Sequence, residues 1–100
     1  MSEKIRDDNI DFLFKAILTL KNTDECYSFF EDLCTVSELL EMSKRFKAAY
    51  MLSKNHIYTN IAQETGLSTA TISRVNRCLK YGSDGYQTVL DRLEKGRLIR

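Results

Sequence analysis

The sequence predicts an all-α protein built around a helix-turn-helix. Three observations predict it. Every periodic apolar stretch fits a repeat of 3.6 residues, and none alternates like a strand. The 100 residues include no proline and only four glycines, so short polar turns alone separate the helical stretches. Residues 58–77, "YTNIAQETGLSTATISRVNR", read as helix, tight turn, helix.

The first helix is expected from Asp8 to about Lys21, with Ile10, Leu13, Phe14, Ile17 and Leu20 on one side. Phe12 and Leu18 add apolar surface elsewhere, more than one partner helix would cover, which points to burial against a second chain. "NTDE" separates it from a second helix whose core side is Cys26, Tyr27, Phe29, Phe30 and Leu33, with Tyr27 and the Phe pair assigned to a dimer core. "TVSE", residues 35–38, fits a capping box: the Thr35 hydroxyl can bond the amide three residues on, and Glu38 can reach back. It opens a long helix from Val36 to about Lys54, with Leu39, Leu40, Met42, Phe46, Ala49, Tyr50 and Leu52 apolar; "SKNH" breaks it. The last helix follows "YGSDGY", residues 81–86.

Within residues 58–80, Gly66 sits where the chain must reverse, and glycine takes φ > 0 without steric cost. Ala62 is small where the two helices cross, Leu67 seals the corner, and Ser68 is a good N-cap. Ile57 and Tyr58 provide no good cap for the first of the two, and Thr65 is polar where an apolar residue is commoner. Ile72, Val75 and Leu79 recur at i, i+3 and i+7, so they face inward. The opposite side carries Thr69, Ala70, Ser73, Arg74, Arg77 and Lys80. Ser and Thr lower helix propensity, so a run of them on an exposed face calls for a reason. Entry into the major groove is such a reason. It needs short side chains near the helix N-terminus, hydroxyls for bases and phosphates, and arginines for guanine or backbone. The expected DNA-contacting residues are Ser68, Thr69, Ala70, Thr71, Ser73, Arg74, Arg77 and Lys80, with Lys54 near the backbone.

Composition narrows the classes. The length suits one domain, residues 1–100, with the helix-turn-helix at 58–80 and dimerisation helices at 8–54 and 85–95. A hydrophobic fraction of 43% supports only a modest core in a chain this short, so oligomerisation would help. No apolar run approaches the ~18 residues of a membrane span, and the N-terminus lacks a signal peptide's apolar stretch. A cytoplasmic protein with no membrane partner is expected. Cys26, Cys34 and Cys78 form neither a disulfide framework nor a zinc pattern, and His56 is the only histidine; the cysteines read as reduced, small apolar side chains, with no metal. Net charge is +1, but residues 1–43 hold four basic and ten acidic residues, net −6, while residues 44–80 hold seven basic and one acidic, net +6. That polarity suggests a polyanion partner for the basic middle. The basic C-terminal "GRLIR" either frays or touches phosphate.

"IAQETGLSTATISRVNRCLK" resembles the reading head of the bacterial tryptophan repressor family, and more closely its YerC/YecD-type relatives. "CTVSELLEMSKR" resembles the start of that family's central helix and "GYQTVLDRLEK" its last helix, so the likeness runs from about Asp8 to Lys95. The resemblance implies a six-helix subunit and an intertwined homodimer that reads successive major grooves of a pseudo-palindromic operator in double-stranded DNA. It also implies a tryptophan pocket between the central helix and the recognition helix, with the indole between two arginines. Arg45, Arg74 and Thr35 match that pocket. Cys78 stands where the family has serine, Asp32 where an apolar residue is expected, and Val75 where a glycine leaves room beside the indole. Thr35, Arg45, Arg74 and Cys78 are therefore the candidate effector positions, but the expectation is that no effector or cofactor is needed; L-tryptophan and another small effector are the alternatives.

No enzyme is expected. His56 has no Cys or Ser partner by sequence context, the acids of residues 3–11 read as a solvated face, and no glycine-rich loop could cradle a phosphate. A sequence-specific transcriptional regulator, a repressor, is the expected function. The rival is a helical protein-interaction and dimerisation module that binds no specific DNA.

Overall fold

Four of the six helices start where a side chain takes an orphan backbone N–H; the fourth and the sixth have no side-chain cap. The computed structural model describes residues 6–96, and among these there are six helices and no strands: α1 Asp8–Ile17, α2 Thr23–Leu33, α3 Val36–Ser53, α4 Tyr58–Thr65, α5 Thr69–Tyr81 and α6 Gly85–Lys95. Asp7 accepts the Ile10 N–H at 2.7 Å and opens α1. Asn22 accepts the Glu25 N–H at 2.9 Å, while the Glu25 carboxylate takes the Lys21 N–H at 2.9 Å, and α2 begins. The capping box of α3 is present in both directions: the Glu38 N–H donates to the Thr35 hydroxyl at 3.1 Å and the Thr35 N–H to the Glu38 carboxylate at 2.9 Å. Ser68 caps α5 by accepting the Thr71 N–H at 3.1 Å. As the sequence suggests, α4 starts at Ile57 without a side-chain cap.

Two helix ends differ from expectation or sharpen it. α1 stops at Ile17 rather than Lys21. The Thr19 hydroxyl donates to the Ala16 carbonyl at 2.6 Å, and the N–H groups of Thr19 and Leu20 bond three residues back, which tightens the last turn and satisfies its carbonyls. α3 ends in a left-handed Asn55 at φ 65°, with Asn55 N–H on the Leu52 carbonyl and His56 N–H on the Met51 carbonyl. That is the Schellman arrangement, with asparagine taking the position usual for glycine.

The chain forms two compact units, divided inside α3 between Leu39 and Leu40. In the first, neither α1 nor α2 contributes a buried residue. Phe29 and Phe30 are half-buried and meet edge to face at 5.5 Å, whereas Cys26, Tyr27 and Leu33, expected on a core side, are exposed. Phe12, Phe14, Leu18, Val36 and, on the other side of the division, Leu40 and Met42 are exposed as well. The helical periodicity is right, but the single chain does not cover the apolar faces it creates.

The second unit holds the core. Ala48 and Ala49, adjacent on α3, are completely buried, and their short side chains let Ile61 of α4 and Ile72 of α5 reach full burial beside them. Met51, Leu67 and Val75 complete the cluster; Leu79 and Leu90 are also buried. Tyr50, Leu52, Tyr58, Ala62 and Tyr86 are partly buried around it. The cysteines are free, but Cys26 and Cys78 are exposed rather than packed inside. No helix of the described residues is long and apolar enough to cross a membrane.

Candidate nucleic-acid interface

The α4–turn–α5 segment is held rigid by three local devices. Gly66 is left-handed at φ 75°, and its N–H closes α4 on the Ala62 carbonyl at 2.8 Å. A Cβ there would meet nothing within 4 Å, so backbone conformation, not space, requires the glycine. Thr65 is buried, and its hydroxyl is used twice: it donates to the Ile61 carbonyl at 2.7 Å and accepts the Leu67 N–H at 3.2 Å. The polar residue at an apolar position is thus a fixed part of the turn, satisfying an N–H that α5 cannot. Ser68 then starts α5.

α5 buries Ile72, Val75 and Leu79 and exposes the other side. Thr69, Ala70, Ser73, Arg74, Arg77 and Lys80 are all exposed along it. None of Arg74, Arg77 and Lys80 forms an ion pair with a described residue, so their charges stay available. Three of the predicted contact residues have other duties. The Ser68 hydroxyl accepts the cap N–H and donates to the Thr71 hydroxyl at 3.1 Å. Thr71 itself is half-buried and lines a cavity. Lys54, in the turn after α3, is ion-paired with Glu94 near the end of α6. Its pKa is raised, chiefly by the hydrogen bond to that carboxylate, so it remains a cation, but one already engaged. The C-terminal basic stretch beyond Gly96 lies outside the described residues.

The cavity, about 290 Å³, is lined by Glu41, Arg45, Thr71, Arg74, Val75, Cys78 and Tyr86. It brings together three of the four candidate effector positions, Arg45, Arg74 and Cys78. Thr35, the fourth, belongs to the first unit, where its hydroxyl is occupied by the α3 cap. Val75 is both a wall of the cavity and part of the buried cluster. Sequence reasoning missed three of its walls: Thr71, read there as a DNA contact, Glu41 and Tyr86. Glu41 is detectable as the residue one helical turn before Arg45. Tyr86 comes from α6, packs at 6.3 Å from the Phe46 ring, and carries no local signal. Its phenol pKa is raised, first by burial and then by the neighbouring Cys78, with Arg45 opposing. One exposed aromatic on α5, Tyr81, was also missed. Among the described residues no group of three potential metal ligands gathers anywhere.

Comparison with known proteins agrees with this geometry. The family model for the Trp repressor protein matches residues 8–94. Protein YerC of Bacillus subtilis (strain 168) is 50% identical over 93 residues, covering 93% of this chain and 89% of its own. The crystal structure of a TrpR-like protein from Eubacterium eligens superposes with a TM-score of 0.89 at 53% identity, covering 93% of this chain and 96% of that one. A candidate Trp repressor from Staphylococcus aureus superposes at 0.87 with 52% identity, covering 92% of each chain.

Proposed function

The chain belongs to the Trp repressor protein family, and on that premise we propose that it is a homodimeric transcriptional regulator, a repressor, that binds double-stranded DNA by laying α5 in the major groove. The observation that carries the reading is the exposed face of α5. Small and hydroxyl side chains (Thr69, Ala70, Ser73) stand at its N-terminal half, and free cations (Arg74, Arg77, Lys80) follow. Short side chains let the backbone approach base edges; the cations meet guanine or phosphate. Two copies of α5, about one helical turn apart, would read a pseudo-palindromic operator of roughly 34–36 Å half-site spacing.

The second copy is supported by the first unit. A chain that leaves Phe12, Phe14, Leu18 and Tyr27 exposed, on helices without one buried residue, is suited to sharing a core with another chain.

We further propose that DNA reading needs no tryptophan or other effector. Two arginines face the cavity and would suit a carboxylate, but the Glu41 carboxylate also faces it, and the Val75 methyls occupy the side where the family's glycine leaves room.

The test is selection of binders from randomised duplex DNA, in parallel with and without L-tryptophan. The expected outcome is one pseudo-palindrome enriched in both arms, with affinity falling steeply as salt rises, because released counterions drive binding. Arg77→Ala should reduce binding and leave the dimer intact by sedimentation. Enrichment only with tryptophan would overturn the effector-free reading. No enrichment in either arm, with salt-insensitive association, would favour the protein-interaction module instead.

A further inference from the structure

We propose that Tyr81 is an additional DNA contact: its phenol hydroxyl donates to a backbone phosphate at the groove wall and sets how α5 is seated. The inference rests on the DNA-reading function proposed above. Ala70, Arg74, Arg77 and Tyr81 follow one another at i, i+4, i+7 and i+11, so they share one face of α5. The other three are on the reading surface, and Tyr81 continues it.

Among the described residues nothing makes use of this ring. Tyr81 is 83% exposed, while Tyr50, Tyr58 and Tyr86 of the same unit are partly buried against the core. No ring contact or side-chain hydrogen bond involves Tyr81 among the described residues. Yet its position is tightly set. Tyr81 is the last residue of α5, and Gly82 ends the helix with its N–H on the Cys78 carbonyl at 2.9 Å. A Cβ at Gly82 would lie 2.3 Å from that carbonyl oxygen, so no residue with a side chain could make this stop unchanged. The backbone therefore delivers an unused aromatic hydroxyl at a defined end of the reading helix.

Distance decides what it would touch. Tyr81 is eleven residues beyond Ala70, about 16 Å along the axis at 1.5 Å per residue. The major groove is about 12 Å wide. When the N-terminal half of a recognition helix meets base edges, a side chain that far along has left the floor of the groove and stands over the sugar–phosphate backbone. A phenol there donates one neutral hydrogen bond to a phosphate oxygen, which positions the helix and carries no sequence information.

Tyr81→Phe in the full-length chain tests this, measured against the selected duplex and an unrelated duplex. The expected result is a loss of about tenfold in affinity on both. The salt slope should not change, because a neutral donor displaces no counterion, whereas Arg77→Ala should flatten the slope by about two, one for each subunit of the dimer. The dimer and the thermal midpoint should be those of the wild type. Unchanged affinity in Tyr81→Phe, or a loss accompanied by dissociation or unfolding, would overturn the assignment while leaving the DNA reading in place. Absence of binding by the wild-type protein to any duplex would remove the DNA reading and this contact with it.

Discussion

Thr65 shows how a single side chain can hold a motif together. Its hydroxyl bridges the Ile61 carbonyl and the Leu67 N–H in a buried turn. Thr65→Val keeps the shape but leaves the Leu67 N–H without its acceptor, and a buried unsatisfied donor costs about 1–3 kcal/mol. Denaturant unfolding should register that loss; an unchanged midpoint would show that water or a rearranged turn takes over the bond. The two informative glycines separate by mechanism. Gly66→Ala meets open space but must hold φ at 75°, which should cost about 1–2 kcal/mol. Gly82→Ala meets the Cys78 carbonyl instead, so the end of α5 must move, and Tyr81 with it.

Among the elements, α3 depends on its N-terminal box and α5 on what surrounds it. The Glu38 carboxyl is held below its ordinary pKa, first by the Thr35 backbone N–H and then by the Thr35 side chain. A folded-state pKa below the unfolded one means that the stabilisation is complete above the ordinary carboxylate range and fades as pH falls through the depressed value. Glu38→Gln preserves a box-competent side chain without the titration. In acid titrations followed by circular dichroism, wild type should therefore lose helix over that range more steeply than Glu38→Gln; identical profiles would remove Glu38 from the acid response. Thr35→Ala, which deletes the hydroxyl acceptor, should cost about 1 kcal/mol at neutral pH. Under the proposed DNA-reading function, α6 acts on affinity through the Lys54–Glu94 pair. Glu94→Gln should release Lys54 toward phosphate in both subunits, tightening binding at low salt and steepening the salt slope by about two. A slope equal to wild type would mean that Lys54 stays away from DNA even when freed.

For the molecule as a whole, the open question is what covers the first unit. Phe12 is 76% and Leu18 84% exposed in the single chain. In a monomer, Phe12→Asp or Leu18→Asp would be a surface substitution, within about 0.5 kcal/mol of neutral. In the proposed dimer each would bury a charge in a shared core, halve the sedimenting mass, lower the unfolding temperature and abolish the concentration dependence of unfolding that the wild-type dimer shows. Monomeric behaviour of the wild type at micromolar concentration would defeat the dimer outright. Charge separates at this scale too: the acidic first 43 residues carry the helices without buried residues, and the basic stretch 44–80 carries most of α5.

The helical class, five of the six starts, the capping box, the Gly66 turn and the inward set Ile72, Val75 and Leu79 were all legible in the sequence, because each depends on residues within about one or two turns of one another. The exposed basic face of α5 was legible for the same reason. Other features depend on contacts across the chain, which local pattern does not encode. Only tertiary structure pairs Lys54 with Glu94, forty residues away, and brings Tyr86 of α6 to the wall of the Arg45–Arg74 cavity. It also shows that the Ser68 hydroxyl is taken by the cap, that Thr71 turns toward the cavity, and that α1 stops early. Periodicity states that a face is apolar; burial is decided by whether another element arrives to cover it. Ala48 and Ala49 are covered by the helix-turn-helix, whereas the apolar residues of α1 and α2 remain incompletely covered within one chain.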